Sequence, residues 1–153
     1  MLDEWYSTYG IGTSRELIQF TCLILQVMAV ACQMLPRKHW KEMAQLTLGK
    51  EEFRELSKGY SDASCELGNK LSGNQATVAR TQAWFLRASW LKSEGRAIES
   101  WHLLGNAIRD AYELGLHKEV TSSRIPRDGD VVEQMWMRQL EKRLWMNLHI
   151  WDR

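Results

Sequence analysis

Trp101-His102-Leu103-Leu104-Gly105-Asn106-Ala107-Ile108-Arg109-Asp110-Ala111-Tyr112-Glu113-Leu114-Gly115-Leu116-His117 is the stretch that decides the fold class. Ile98, Trp101, Leu104, Ile108 and Ala111 recur at steps of three and four residues, which stacks them on one face of a helix from about Ala97 to Leu114. Gly115 follows at the point where a residue able to take a positive φ closes a helix, and Leu116 can then fold back on the helix it ends. Gly105 is small enough to let a neighbouring element approach closely.

The same periodicity continues on both sides. Upstream, Val78, Gln82, Phe85 and Ser89 share one side of a helix from about Ala76 to Glu94, with Ala79, Ala83, Leu86 and Trp90 beside them and Gly95 as the stop. A helix from about Glu51 to Ser72 carries Phe53, Leu56, Tyr60, Ala63, Leu67 and Leu71 on its apolar face and stops at Gly73. Before it, Thr13 and Glu16 have capping-box spacing, so a helix is expected from Ser14 to just before Pro36, at the centre of the core. Downstream, a polar stretch with Thr121, Ser122, Ser123, Pro126 and Gly129 precedes a helix starting near Asp130, where Asp130 and Glu133 again have capping-box spacing. Met137, Leu140, Leu144, Leu148 and Trp151 then read as core positions. That helix reaches the last residue without a cap, so the chain is expected to end before its fold is complete.

Together these segments predict an all-α domain, a multi-helix bundle of antiparallel helices truncated at its C-terminus. Its parts are an N-terminal loop over residues 1–13, a first core helix over 14–35, a three-helix segment over 51–116 and a C-terminal helix over 130–153.

Composition narrows the function classes. A chain of 153 residues, 44% of them hydrophobic, fits one domain with a real core. Lys and Arg total 20 against 19 Asp and Glu, so no basic surplus exists to hold a phosphate backbone, and no direct nucleic-acid contact is expected. Cys22, Cys32 and Cys65 are odd in number and widely spaced, which fits a reduced, intracellular compartment. Asp3, Glu4 and Trp5 open the chain in place of a basic segment followed by an apolar one, so no signal peptide is expected. Leu17 to Leu35 carries no formal charge over 19 residues, close to a bilayer span. Gln19, Gln26 and Gln33, however, recur every seven residues as a narrow polar stripe, with Leu17, Ile24, Ala31 and Leu35 elsewhere on the cylinder. This favours a buried core helix over a membrane span.

Signals for chemistry are missing. Zinc binding by thiolates needs ligands at short spacing, and neither the cysteines nor His39, His102, His117 and His149 provide it. Gly10-Ile11-Gly12-Thr13-Ser14 lacks the preceding strand, the third glycine and the lysine of a phosphate loop, so it reads as an N-terminal loop. No G-x-S-x-G elbow is present and no cysteine has a neighbouring histidine, so catalytic residues are expected to be absent.

From Thr77 onward the sequence resembles the fungal-specific transcription factor domain, the middle homology region that follows zinc binuclear cluster motifs. Three stretches carry the resemblance: Ala83-Trp84-Phe85-Leu86-Arg87-Ala88; Trp101 to Arg109 with Ala111 and then Leu114-Gly115-Leu116-His117; and Glu141-Lys142-Arg143-Leu144-Trp145 with the closing pair Asp152-Arg153. The chain departs from the family's two adjacent aromatics at Trp145-Met146, and the family continues beyond the Asp-Arg pair. The resemblance implies a fragment of a regulatory domain in the nucleus, acting through other helices of the same factor or through protein co-regulators. It implies no cofactor for this chain, because the family's zinc belongs to a six-cysteine cluster absent here. Its signature residues, with structural roles, are Trp101, Gly105, Ala107, Arg109, Gly115, Leu116, His117, Glu141, Arg143, Trp145, Asp152 and Arg153.

For His117, beside the carbonyls of a helix end, a hydrogen bond or favourable charge is the structural role and ligand sensing the functional one. Arg143 and Asp152 lie nine residues apart on one helix, so salt-bridge partners for either must come from another element. Among eight tryptophans, Trp84, Trp90, Trp101 and Trp145 fall on or beside apolar faces, as core or as interface anchors able to support self-association. The alternative is a free-standing helical adaptor of tetratricopeptide type, built on the helix pair from Ala83 to Gly115. No second copy follows at the period of about 34 residues that such an array needs.

Overall fold

The computed structural model describes residues 15–34, 50–70, 75–118 and 131–153. Five helices occupy them: α1 (Arg15–Met34), α2 (Lys50–Asn69), α3 (Val78–Ser93), α4 (Ala97–Glu113) and α5 (Val131–Trp151). No strand occurs among the described residues, and the architecture is an all-α bundle. The expected N-terminal loop, the Thr13 and Asp130 caps, the Gly73 stop and the polar stretch over 121–129 lie outside the described residues.

The helix ends follow local chemistry. Thr77 is the N-cap of α3: its Oγ1 accepts a hydrogen bond from the Arg80 amide at 3.2 Å and donates one to Gln19 Oε1 at 2.7 Å. Both α3 and α4 end in Schellman motifs. Gly95 has φ +79°, with Arg96 N–H bonded to Leu91 O at 2.9 Å, and Gly115 has φ +74°, with Leu116 N–H bonded to Ala111 O at 2.9 Å.

Consecutive helices run antiparallel. Cys22 meets Ser64 and Ala29 meets Ser57 across α1 and α2, while Arg80 meets Asp110 and Ala88 meets Ser100 across α3 and α4. α1 and α3 run parallel, since Gln19 reaches Gln75 and Thr77 at one end and Gln33 reaches Trp90 and Glu94 at the other. Ala88, Leu104, Ala107, Ala111, Leu144 and Leu148 form one core cluster where α3, α4 and α5 meet; Ala29, Trp90 and Leu91 form a second between α1 and α3. The centre of the core is therefore α3, which contributes to both clusters, and not α1 as expected from its apolar run.

Several faces differ from the sequence expectation. On α4, Ser100, Leu104, Ala107 and Ala111 are buried, whereas Ile98 and Trp101 are 75% and 67% exposed. The cause is close helix packing: Ser100 Oγ donates to Ala88 O at 2.7 Å, and three alanines at the contact leave no room for larger side chains. On α2 the buried stripe is Phe53, Ser57, Ser61 and Ser64, with Ala63 exposed. On α5, Leu144 and Leu148 are buried but Met137 is 47% exposed. Gly105 has no approaching neighbour, because a Cβ built there meets nothing within 4 Å.

The two glycines of the signature are thus physically unlike. Gly105→Ala is expected to raise the free energy of unfolding by about 0.5–1 kcal/mol, and Gly115→Ala to lower it by about 1–2 kcal/mol, in urea titrations followed by circular dichroism.

Candidate functional site: an apolar groove

Helix α1 sits with its polar side inward. Gln19 is 4% and Gln26 1% exposed, whereas Phe20, Ile24 and Val27 are 53%, 43% and 47% exposed. Gln26 Nε2 donates to Ser61 O at 3.2 Å, Ser64 Oγ donates to Cys22 O at 3.0 Å and Ser57 Oγ to Ala29 O at 2.7 Å. Gln33 Nε2 donates to Glu94 Oε1 at 2.9 Å, completing a polar ladder along the helix. Short side chains at Ser57, Ser61, Ser64 and Gly68 let the two backbones approach, and no buried side-chain nitrogen or oxygen among the described residues lacks a partner. Burial also pushes the Cys22 thiol above its usual range, with Sγ donating to Ser64 O at 3.4 Å. Length and composition would allow α1 to cross a membrane, but its glutamines are committed to α2 and α3.

Because this ladder occupies the inner face, the apolar side of α1 forms a wall. Leu23, Ile24 and Val27 face an open groove of about 780 Å³. Its floor is Gln82, Phe85 and Leu86 of α3, and its far wall is Val132, Met135, Trp136, Gln139, Leu140, Arg143, Leu144 and Asn147 of α5. Among the described residues, Arg143 is the one charged residue in this lining. The C-terminal part of α5 is anchored: Trp151 meets Phe85 edge-on at 5.4 Å and lies under the Lys92 ammonium at 4.5 Å. Its first turns project Val132, Met135 and Trp136 at 66%, 60% and 68% exposure.

The floor is held rigid from below. Arg80 Nε and Nη2 donate to the two Asp110 carboxylate oxygens at 2.7 and 2.6 Å, with side-chain exposures of 12% and 7%. The Arg80 guanidinium also lies 5.1 Å above the Trp84 ring. Arg87 donates to Ser61 O and Oγ, and Trp90 Nε1 donates to Ser57 Oγ at 2.9 Å, so α3 grips both neighbours. A smaller cavity of about 290 Å³, lined by Gln19, Cys22, Cys65, Arg80, Trp84 and Arg87 among others, has polar groups already engaged in these bonds.

The signature residues gather mostly elsewhere. Gly115, Leu116, His117, Glu141 and Trp145 line one cleft between the end of α4 and α5. His117 packs on Tyr112 at 4.9 Å and faces Trp145 at 6.0 Å. Leu116 folds onto the core, and Ala107 is fully buried within it. Arg109 bonds Asn106 at the surface, Arg153 lies 3.3 Å from His149 Nε2, Trp101 is 67% exposed, and a Cβ built on Gly105 meets nothing within 4 Å. The expected salt bridges of Arg143 and Asp152 do not form among the described residues: Arg143 lines the groove and Asp152 is exposed. Periodicity missed the groove because it assigns apolar residues to the inside. The 4-3-4 spacing of Ser57, Ser61, Ser64 and Gly68, read against the glutamine heptad, was the signal available.

Comparison with known proteins agrees with the signature. The model of the fungal-specific transcription factor domain matches residues 4–153. The chain belongs to that family. The transcription factor xilB of Penicillium rubens is 25% identical over 141 residues, covering 88% of this chain and 20% of its own length. The probable transcription factor sol4 of Alternaria solani is 30% identical over 154 residues, covering 97% of this chain and 25% of its own length. This chain of the fungal-specific family therefore spans a fifth to a quarter of the curated relatives it matches. No solved structure matches it.

The Arg80–Asp110 pair gives the site's sharpest stability test. Asp110→Asn removes the carboxylate charge that accepts from Arg80 Nε and Nη2 and is expected to cost about 1.5–3 kcal/mol in chemical denaturation.

Proposed function

We propose that this chain is a regulatory region of a fungal transcription factor that does not touch DNA and acts through contacts with other helices of the same factor or with protein co-regulators. The groove between α1, α3 and α5 carries this reading. Its walls are mainly apolar, and among the described residues a single charged side chain borders it. A net charge of +1 supplies no electrostatic footprint for a nucleic-acid backbone. In this reading the chain performs no catalysis, needs no cofactor and works in the nucleus, and any zinc cluster belongs to a separate part of the factor. The signature around Gly115, His117 and Trp145 supports the bundle end and not a reaction.

The test is a reporter assay with the 153-residue chain fused to a heterologous DNA-binding and activating pair. Met135→Glu, at the groove wall, is expected to change reporter output several-fold, while Trp101→Glu, on the outer face of α4, leaves it unchanged. Equal output from all three chains, or saturable binding of the purified chain to duplex DNA at low salt, contradicts the proposal.

A further inference from the structure

We infer that Cys22 and Cys65 form a redox-sensitive thiol pair, which hydrogen peroxide closes into a disulfide between α1 and α2. All three cysteines are free thiols in this structure. In the antiparallel register Ala29 meets Ser57, Gln26 meets Ser61 and Cys22 meets Ser64, so Cys65 stands at the level of Cys22. The backbones are close there: Ser64 Oγ donates to Cys22 O at 3.0 Å, and Cys22 Sγ donates to Ser64 O at 3.4 Å. A disulfide needs Cα atoms within about 7 Å of each other. Adjacent Cα atoms are about 3.8 Å apart, so the contact of Cys22 with Ser64 leaves a modest turn of α2 to bring Cys65 into range. Both cysteines line the cavity of about 290 Å³, many times the roughly 30 Å³ share of one water molecule. Gly68 leaves space beside Cys22, since a Cβ there would stand 3.9 Å from Sγ, and Asn69 Nδ2 donates to Cys65 Sγ at 3.9 Å. Burial, and to a lesser degree a charge on Cys65, push the Cys22 thiol up, so the two sulfurs sense each other.

Exposure sets the order of events. Cys65 is half-buried and Cys22 buried, so peroxide meets Cys65 first. The Cys65 sulfur attacks one peroxide oxygen, the O–O bond breaks, and the departing oxygen takes the thiol proton and leaves as water; Cys65 is now a sulfenic acid. The Cys22 sulfur then attacks the Cys65 sulfur, the S–O bond breaks, and hydroxide leaves with the Cys22 proton as a second water. Two thiols are oxidised and one peroxide is reduced. The S–H that Ser64 O accepts is consumed, one turn from the Gln26–Ser61 bond, so oxidation acts on the seating of α1 against α2. Cys32 takes no part, because ten residues of helix place it about 15 Å along α1 from Cys22, far outside disulfide range. Inside cells a pair of this kind is a transient sensor, in contrast to a structural staple.

The experiment oxidises the reduced 153-residue chain with graded hydrogen peroxide, alkylates the remaining thiols in denaturant and maps chymotryptic peptides by fragmentation mass spectrometry. Circular dichroism before oxidation confirms helix content in every variant. The expected product is a single chain lighter by two hydrogens, alkylated at Cys32 alone and returned to three thiols by dithiothreitol. Cys32→Ser leaves the bridge intact. Cys65→Ser slows oxidation of Cys22 at least about tenfold, because the buried sulfur loses the partner through which it reacts. Bridges through Cys32, or links between chains in place of the internal one, overturn the pair. So do a Cys65 carried on to sulfinic acid with Cys22 still a thiol, a chain that peroxide leaves with three thiols, and an unchanged rate at Cys22 in Cys65→Ser.

Discussion

The buried hydrogen bonding between Gln26 and Ser61 sets the rotation of α1, and through it the placement of apolar surface on the whole bundle. A glutamine at 1% exposure must find partners, because an unsatisfied buried amide costs about 1–3 kcal/mol. Ser61 supplies a carbonyl and a hydroxyl to Gln26 and also accepts from Arg87, so one turn of α2 fixes both α1 and α3. Serines in place of larger side chains keep the helix axes close enough for these bonds to form. The consequence is a helix whose apolar side looks away from α2, toward the groove.

Division of labour follows from that placement. The α3–α4–α5 cluster is an ordinary aliphatic and alanine core, closed by two Schellman caps and braced by the Arg80–Asp110 pair. The α1–α2 layer is held by polar bonds and contributes its apolar surface outward. A stable floor thus sits beside an exposed apolar wall.

How much of this was legible in the sequence depends on which force dominates each element. The helix ends at Gly95 and Gly115 were legible because positive φ has few chemical solutions, and Leu144 and Leu148 because aliphatic periodicity and burial coincide there. The family was legible from Thr77 onward through packing and capping residues, although its match reaches back to residue 4. Ile98 and Trp101 misled because Ala107 and Ala111 bury completely while adding little to an apolar count. The glutamine heptad was visible, but its partners, Ser57, Ser61 and Ser64, are recognised only when α2 is laid antiparallel against it. Of the signature residues, Arg143 alone lines the groove, and five others, Gly115, Leu116, His117, Glu141 and Trp145, line the cleft at the bundle end.

The inward orientation of α1's polar stripe is the central claim, and a double-mutant cycle on Gln26→Leu and Ser61→Ala tests it most directly, with unfolding free energies from urea titration of the four chains. If the two side chains share a buried bond, the single changes are non-additive, with a coupling of about 0.5 kcal/mol or more. Additivity within about 0.3 kcal/mol, together with a Gln26→Leu chain more stable than the parent, would place the apolar face of α1 inward and contradict the orientation on which the groove depends.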